Sequence, residues 1–164
     1  MSSLQQIGRK FTILMTSGFY TGYAPVASGT FGTLVGILFY LPIRSLSNEI
    51  YAAVVAAFTM FAIFLSHKAE SIYGEKDSGK IVIDEIAGYL VTMFALPAVF
   101  NLWVGIAVGF FVFRFFDIAK PFPAQWIDRK LKGGAGVVLD DVFAGFYALG
   151  TMHLIAFLWT KAHS

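Results

Sequence analysis

Charged residues are missing from four long stretches of this chain, Phe11 to Ile43, Ile50 to Leu65, Ile86 to Phe113 and Val142 to Thr160. Nearly every ionisable group lies between them. Water-soluble domains do not segregate charge in this way, because a surface in water needs polar residues along every element. A chain built so is expected to bury its apolar stretches in a bilayer. Composition agrees: 57% of the 164 residues are hydrophobic, 13% are charged, and 18 are Phe. With no cysteine, disulfides, thiolate metal sites and cysteine nucleophiles are all excluded. Twelve Lys and Arg are interleaved with ten Asp and Glu, so a nucleic-acid surface is not expected.

The third stretch is too long for one straight span, and Pro97 with Asn101 interrupts it. Two helices are predicted there, roughly Ile81 to Leu96 and Leu102 to Phe116, each covering about 24 Å of the ~30 Å hydrocarbon core. The first stretch is broken by Gly18, Gly22, Pro25, Gly29, Gly32 and Gly36, so only Thr30 to Leu41 reads as helix. Ala124 to Leu131 reads as a short amphipathic helix on the interface. The expected fold is therefore all-α, one membrane-embedded domain over residues 1–164, with about four to five embedded helices plus the interfacial one.

The charges predict orientation. If the first stretch crosses and the N-terminus is inside, ten cations (Arg9, Lys10, Lys68, Lys76, Lys80, Arg114, Lys120, Arg129, Lys130 and Lys132) share one face, and only Arg44 and Lys161 lie opposite. The positive-inside rule makes that face cytoplasmic. Nine of the ten acidic residues fall on the same side, Glu49 being the exception. Any chemistry is expected there.

Three charged segments meet that face: DSGKIVIDE (Asp77 to Glu85), FRFFDIAKPFP (Phe113 to Pro123) and GGAGVVLDD (Gly133 to Asp141). Carboxylates at a bilayer edge are unfavourable unless paired or metal-bound, and oxygen-rich clusters suit Mg²⁺. The alternative is helix capping, with Asp84 and Glu85 starting one helix and Asp140 and Asp141 another. Arg114, Asp117 and Lys120 recur at i, i+3, i+6 on one helical face, a spacing that suits a phosphate clamp. Arg129, Lys130 and Lys132 fit attraction to anionic lipid. In SGTFGTLVG (Ser28 to Gly36), Ser28 or Thr30 is a candidate N-cap. The glycines there serve either a phosphate at the helix end, with Thr30 as a contact, or close helix packing through Gly32 and Gly36, as with Gly105 and Gly109. Gly74 to Lys80 matches G-x-x-x-x-G-K but has Ile81 in place of the metal-binding hydroxyl, so a nucleotide loop is rejected.

Taken together and in this order, APVASGTFGTLVG (Ala24 to Gly36), DSGKIVIDEIAG (Asp77 to Gly88) and FRFFDIAKPFPAQWIDRKLKGGAGVVLDDVFAG (Phe113 to Gly145) resemble the phosphatidylglycerophosphatase A family of bacterial inner-membrane lipid phosphatases. The departures are Ala119 and Phe122, where the family commonly has tryptophan. The resemblance implies Mg²⁺-dependent hydrolysis of phosphatidylglycerophosphate to phosphatidylglycerol and phosphate. It implies Asp84, Glu85, Asp117, Asp140 and Asp141 as metal-holding residues. Asp84, Asp117 and Asp141 are the expected catalytic carboxylates, and Arg114, Lys120, Arg129 and Thr30 the expected substrate contacts. The expected partner is the phospholipid substrate, with the chain a monomer or homodimer. A phosphatase of another lipid phosphate, such as phosphatidic acid, is the near alternative. A small carrier would want ionisable groups near the midplane, where only His153 qualifies.

Overall fold

A computed structural model describes residues 3–163. Among them are seven α-helices and one short 3-10 turn, with no strand: α1 (Ser3–Thr16), α2 (Ser28–Ile43), α3 (Asn48–Tyr73), α4 (Ile83–Thr92), α5 (Leu102–Ala119), α6 (Ala124–Lys130) and α7 (Gly134–Ala162). Three of these, α3, α5 and α7, are long and apolar enough to cross a membrane. Only 28%, 22% and 33% of their apolar stretches are buried inside the chain, so most of that apolar surface faces outward, as lipid contact requires. α2 is apolar but only 16 residues long.

α4 is the centre of the molecule. Its ten residues cover about 15 Å, too little to span, and every one except Glu85 is buried. It packs on α7, α2, α3 and α5. The helix expected to run to Leu96 stops at Thr92, because Ala95 takes a positive φ of 48° and Leu96 precedes a proline. Asn101 then caps α5 by accepting from the Trp103 and Val104 N–H groups. α5 runs three residues beyond the expected end and stops at Lys120, which is left-handed and stands before Pro121.

Two further boundaries differ from expectation. Ser3–Thr16 is a regular helix, since the chain-reversing conformations begin only at Gly18, Phe19 and Tyr20, all at positive φ. α7 starts at Gly134, so Asp140 and Asp141 do not start the helix; they lie about two turns inside it. Gly134 and Gly136 continue that helix because a Cβ at either would strike backbone, at Ile63 and Leu131 respectively. The small-residue pairs serve packing within the chain: a Cβ on Gly32 would stand 2.7 Å from Val82, one on Gly36 3.2 Å from Tyr89, and one on Gly109 2.7 Å from the Met93 sulfur.

The helices alternate in direction. Ser28, Asp77, Asp84, Asp117, Lys120 and Asp140 line one cavity, so the starts of α2, α4 and α7 and the end of α5 share one end of the bundle. Arg44, Asn48, Pro97 and Leu102 line a cavity at the other end.

Candidate active site

The site is assembled where α4 and α7 come unusually close. A Cβ on Gly88 would lie 2.6 Å from the Asp141 carbonyl oxygen, and one on Gly145 would collide with the Gly88 carbonyl. Two backbones in contact place the first turn of α4 directly beside the second turn of α7. Gly29 does the same for α2, because a side chain there would run into Glu85 and stand 2.7 Å from Arg114 Nη1. The N-cap of α2 is Ala27, at φ 54°, not Ser28 or Thr30. The left-handed turn at Ala27 makes Ser28 the first helical residue, and Ser28 lines the cavity instead of capping.

That cavity, of about 180 Å³, is lined by Asp77, Asp84, Glu85, Asp117, Asp140 and Asp141, with Lys120 as its cation. Asp84, Glu85 and Asp141 each offer a carboxylate oxygen, and these lie within 4.8 Å of one another. The two remaining expected ligands are engaged with cations. Arg114 Nη1 is 2.5 Å from Asp117 Oδ2 and 3.9 Å from Glu85 Oε1. These are ion-pair distances without hydrogen-bond alignment, since Nη1 is buried and unbonded. Lys120 Nζ donates to Asp140 Oδ2 at 2.5 Å and lies 3.5 Å from Asp128 Oδ2 on α6.

Six carboxylates therefore face two cations, Lys120 and Arg114. Asp84 Oδ1, Glu85 Oε2, Asp140 Oδ1 and Asp141 Oδ2 are buried with no hydrogen-bond partner. An orphaned buried carboxylate oxygen is among the least favourable groups a fold can carry. At the first turn of α4, outside the three long apolar helices, the consequence is visible in acidity. Burial, then the neighbouring Glu85 charge, push Asp84 well above its usual range. Burial pushes Glu85 up to about 7, with Asp117 adding to it and Arg114 opposing. Burial disfavours the Lys120 ammonium, but the hydrogen bond and charge of Asp140 outweigh it and hold the amine protonated. Hard, unpartnered oxygens with surplus negative charge are what a divalent cation of the Mg²⁺ type needs, and the residues present fit one.

Of the residues read from the sequence, Asp84, Glu85, Asp117, Asp140, Asp141 and Lys120 are brought to this cavity, and Arg114 lies against two of them. Thr30 and Arg129 do not line it; Thr30 is half-buried on α2 and Arg129 is exposed on α6. Sequence reasoning passed over Asp77, Ser28 and Asp128. Asp77 carried a signal, lying in the same acidic segment as Asp84, whereas Asp128 sits among cations that read as lipid-facing. Lys76 also reaches Asp128, donating to its carbonyl at 2.5 Å, so the segment before α4, helix α6 and α7 are tied by one string of charges.

A family model for phosphatidylglycerophosphatase A matches residues 14–156. The phosphatidylglycerophosphatase A of Escherichia coli K12 is 36% identical over 146 residues, covering 89% of this chain and 84% of the relative. That of Haemophilus influenzae Rd is 37% identical over 137 residues, 83% of each. A Bacteroides thetaiotaomicron protein described provisionally as a phosphatidylinositol-3-phosphatase is 36% identical over 142 residues, 83% of this chain and 87% of the relative. No solved structure matches significantly. The match spans every element that builds the cavity, from the end of α1 through most of α7, and on that evidence the chain belongs to the phosphatidylglycerophosphatase A family.

Proposed function

We propose that this chain hydrolyses phosphatidylglycerophosphate to phosphatidylglycerol and inorganic phosphate with Mg²⁺, as a step of phospholipid biosynthesis. The observation that carries the reading is the group of Asp84, Glu85 and Asp141, each with a buried carboxylate oxygen that has no hydrogen-bond partner, beside Lys120 at one end of an apolar bundle. Those three would hold the ion, with Asp117 and Asp140 completing the acidic lining. Mg²⁺ bound there supplies charge neutralisation for the phosphate and acidifies an attacking water.

The remaining work falls to the chain. Lys120 is a protonated donor at the cavity and suits a phosphoryl oxygen as a point charge. Arg114 acts as a positioning residue: its guanidinium lies against Glu85 and Asp117 and holds both carboxylates in place. Ser28 offers a hydroxyl at the cavity wall. Water as the attacking group, or one of the aspartates forming a phosphoenzyme, are both compatible with this lining, and the stereochemical course at an isotopically chiral thiophosphate separates them: inversion for one in-line displacement by water, retention for two displacements through an aspartyl-phosphate.

Placement follows the same logic. The cavity lies at the end of the bundle toward which the sequence directs ten of the twelve basic residues, and the positive-inside rule supports reading that end as the cytoplasmic face of the inner membrane. α3, α5 and α7 cross; α2 and α4 are embedded beside them, giving the four to five embedded helices, while the phosphate meets the cavity at the interface and the acyl tails stay in lipid.

A second reading is hydrolysis of another lipid phosphate. It is favoured by the Bacteroides thetaiotaomicron relative, whose provisional description names a different headgroup at equal identity. The experiment is phosphate release by purified protein from phosphatidylglycerophosphate, phosphatidic acid and phosphatidylinositol 3-phosphate, with Mg²⁺ and with chelator, beside Asp117→Asn and Asp141→Asn. The reading expects chelator-sensitive turnover, fastest on phosphatidylglycerophosphate and lost in both variants. Faster turnover of either other lipid would move the assignment to that headgroup, and no turnover of any would overturn it.

A further inference from the structure

α1 leaves uncovered an apolar stripe that a helix of a water-soluble protein would bury. Leu4, Ile7 and Phe11 recur at i, i+3, i+7 and form one face, and they are 78%, 63% and 49% exposed. Every residue from Ser3 to Phe11 is exposed and only the last turns meet the chain, where Thr12 and Thr16 are buried, Met15 packs on the core and the Thr16 carbonyl accepts the Val82 N–H at 2.8 Å. A helix docking on a body surrounded by water buries its apolar stripe and shows its polar one. α1 is attached by its C-terminal turns alone and leaves its apolar stripe uncovered.

What covers that stripe is indicated by three observations. Arg9 projects from the other side of the helix and Lys10 from its flank, as in helices that lie in a bilayer interface with cations toward the headgroups. Further exposed apolar side chains follow the helix in the chain at Phe19, Tyr20 and Val26, and others stand at Phe122 and Trp126 around α6. This exposed surface is alike in kind to that of α3, α5 and α7, whose apolar stretches are mostly unburied. Thr16 bonds to Val82, two residues before Asp84, so α1 is attached at the cavity's end of the bundle.

We propose that α1 is an in-plane anchor that lies on the bilayer leaflet at the cavity's end, its Leu4, Ile7 and Phe11 face in the acyl region and Arg9 and Lys10 against anionic headgroups. The anchor belongs to the surface and does not depend on which phosphate the site hydrolyses. Its function is to fix the depth of the α1–Val82 junction, and with it the cavity, at the level where lipid phosphates lie.

The chain has no cysteine, so an introduced thiol is the sole labelling point. Full-length Ile7→Cys and Arg9→Cys proteins, each carrying an environment-sensitive fluorophore, are reconstituted into phosphatidylcholine–phosphatidylglycerol vesicles. Quenching is read with aqueous iodide and with lipid bearing a spin label in its acyl chain. The expected result is an Ile7 label quenched by the spin-labelled lipid and shielded from iodide, with the Arg9 label showing the reverse. Leu4→Cys repeats the Ile7 pattern and replaces it if that protein is recovered unfolded. Iodide quenching at both positions would overturn the proposal, and so would an Ile7 label shielded from both quenchers, because a second copy of the chain would then cover the stripe. In Arg9→Gln/Lys10→Gln protein labelled at Ile7, lipid quenching should fall severalfold; unchanged quenching would remove the headgroup contact from the proposal. None of these readouts uses turnover.

Discussion

Gly88→Ala is the most informative single substitution, because it adds one methyl group at the point where α4 meets α7 and replaces no ionisable residue. The added Cβ would lie 2.6 Å from the Asp141 carbonyl oxygen and 2.6 and 2.8 Å from two ring atoms of Phe113. Ordinary contact begins at 3.4 Å, so the helices must separate by about 0.8 Å, and a backbone carbonyl cannot turn away as a flexible side chain could. The residue pushed is Asp141, whose carboxylate faces Asp84 and Glu85. Mg²⁺ tolerates little departure from octahedral geometry, and a misplacement near 1 Å in a positioned site lowers rates by about 10²-fold. We therefore expect kcat/KM for phosphate release from phosphatidylglycerophosphate to fall by about 10²-fold, with stability reduced by about 1–3 kcal/mol from overpacking. The assay is a phosphate-release time course in detergent, paired with a thermal melt. Gly150→Ala is the control: nothing lies within 4 Å of its Cβ in α7, so activity should hold and stability should change by no more than about 1 kcal/mol. A folded Gly88→Ala protein with turnover within twofold of the unsubstituted chain would refute the view that this crossing sets the carboxylate geometry.

Asp84→Asn should abolish metal-dependent turnover while raising the melting temperature of the chelated protein, since it removes one charge from a buried like-charge group; an unchanged or lower melting temperature in chelator would count against an apo site under repulsion. Mg²⁺ should raise the melting temperature of the unsubstituted chain and leave that of Asp84→Asn unmoved, which differential scanning fluorimetry reads directly. Glu85 holds its proton more tightly folded than unfolded, its acidity moving from 4.5 to about 7, so its contribution is fully present below pH 4.5 and is lost as pH rises through 7. Metal-free protein should accordingly be less stable at pH 8 than at pH 5, by up to about 3 kcal/mol from this group, and Glu85→Gln should flatten that dependence in chemical denaturation. Arg129→Gln and Thr30→Val, both outside the cavity, should keep turnover in detergent within a few-fold; a loss beyond tenfold in either would bring that residue back to the substrate.

The sequence carried the helical class, the location of the charges at one end and the identity of the acidic cluster, because all three follow from one-dimensional rules. Charge-free stretches mark helices kept out of water, whether they face outward as α3, α5 and α7 do or are buried as α4 is, and helices of alternating direction return every interhelical charge cluster to the same two faces. The boundaries were less visible. Glycine in Ser28 to Gly36 and in Gly133 to Gly136 reads as interruption, yet it permits continuous helices to touch, a distinction that depends on the neighbour and not on the segment. α1 was hidden by the glycines that follow it, and the early end of α4 depends on the positive φ of Ala95.

What tertiary structure alone decided is the division of labour among the carboxylates. From the chain, Asp84, Glu85, Asp117, Asp140 and Asp141 are equivalent acidic residues at helix ends. In the fold, Arg114 lies closest to Asp117 and Lys120 to Asp140, while Asp84 and Asp141 have no cation and Glu85 only the more distant contact with Arg114 at 3.9 Å, and these three are left close together. No spacing along the sequence encodes that difference. Pairing depends on distances of a few ångströms between residues of different helices, and those distances are fixed by the contact of α4 with α7 at Gly88 and Gly145, where the absence of two side chains lets the backbones meet.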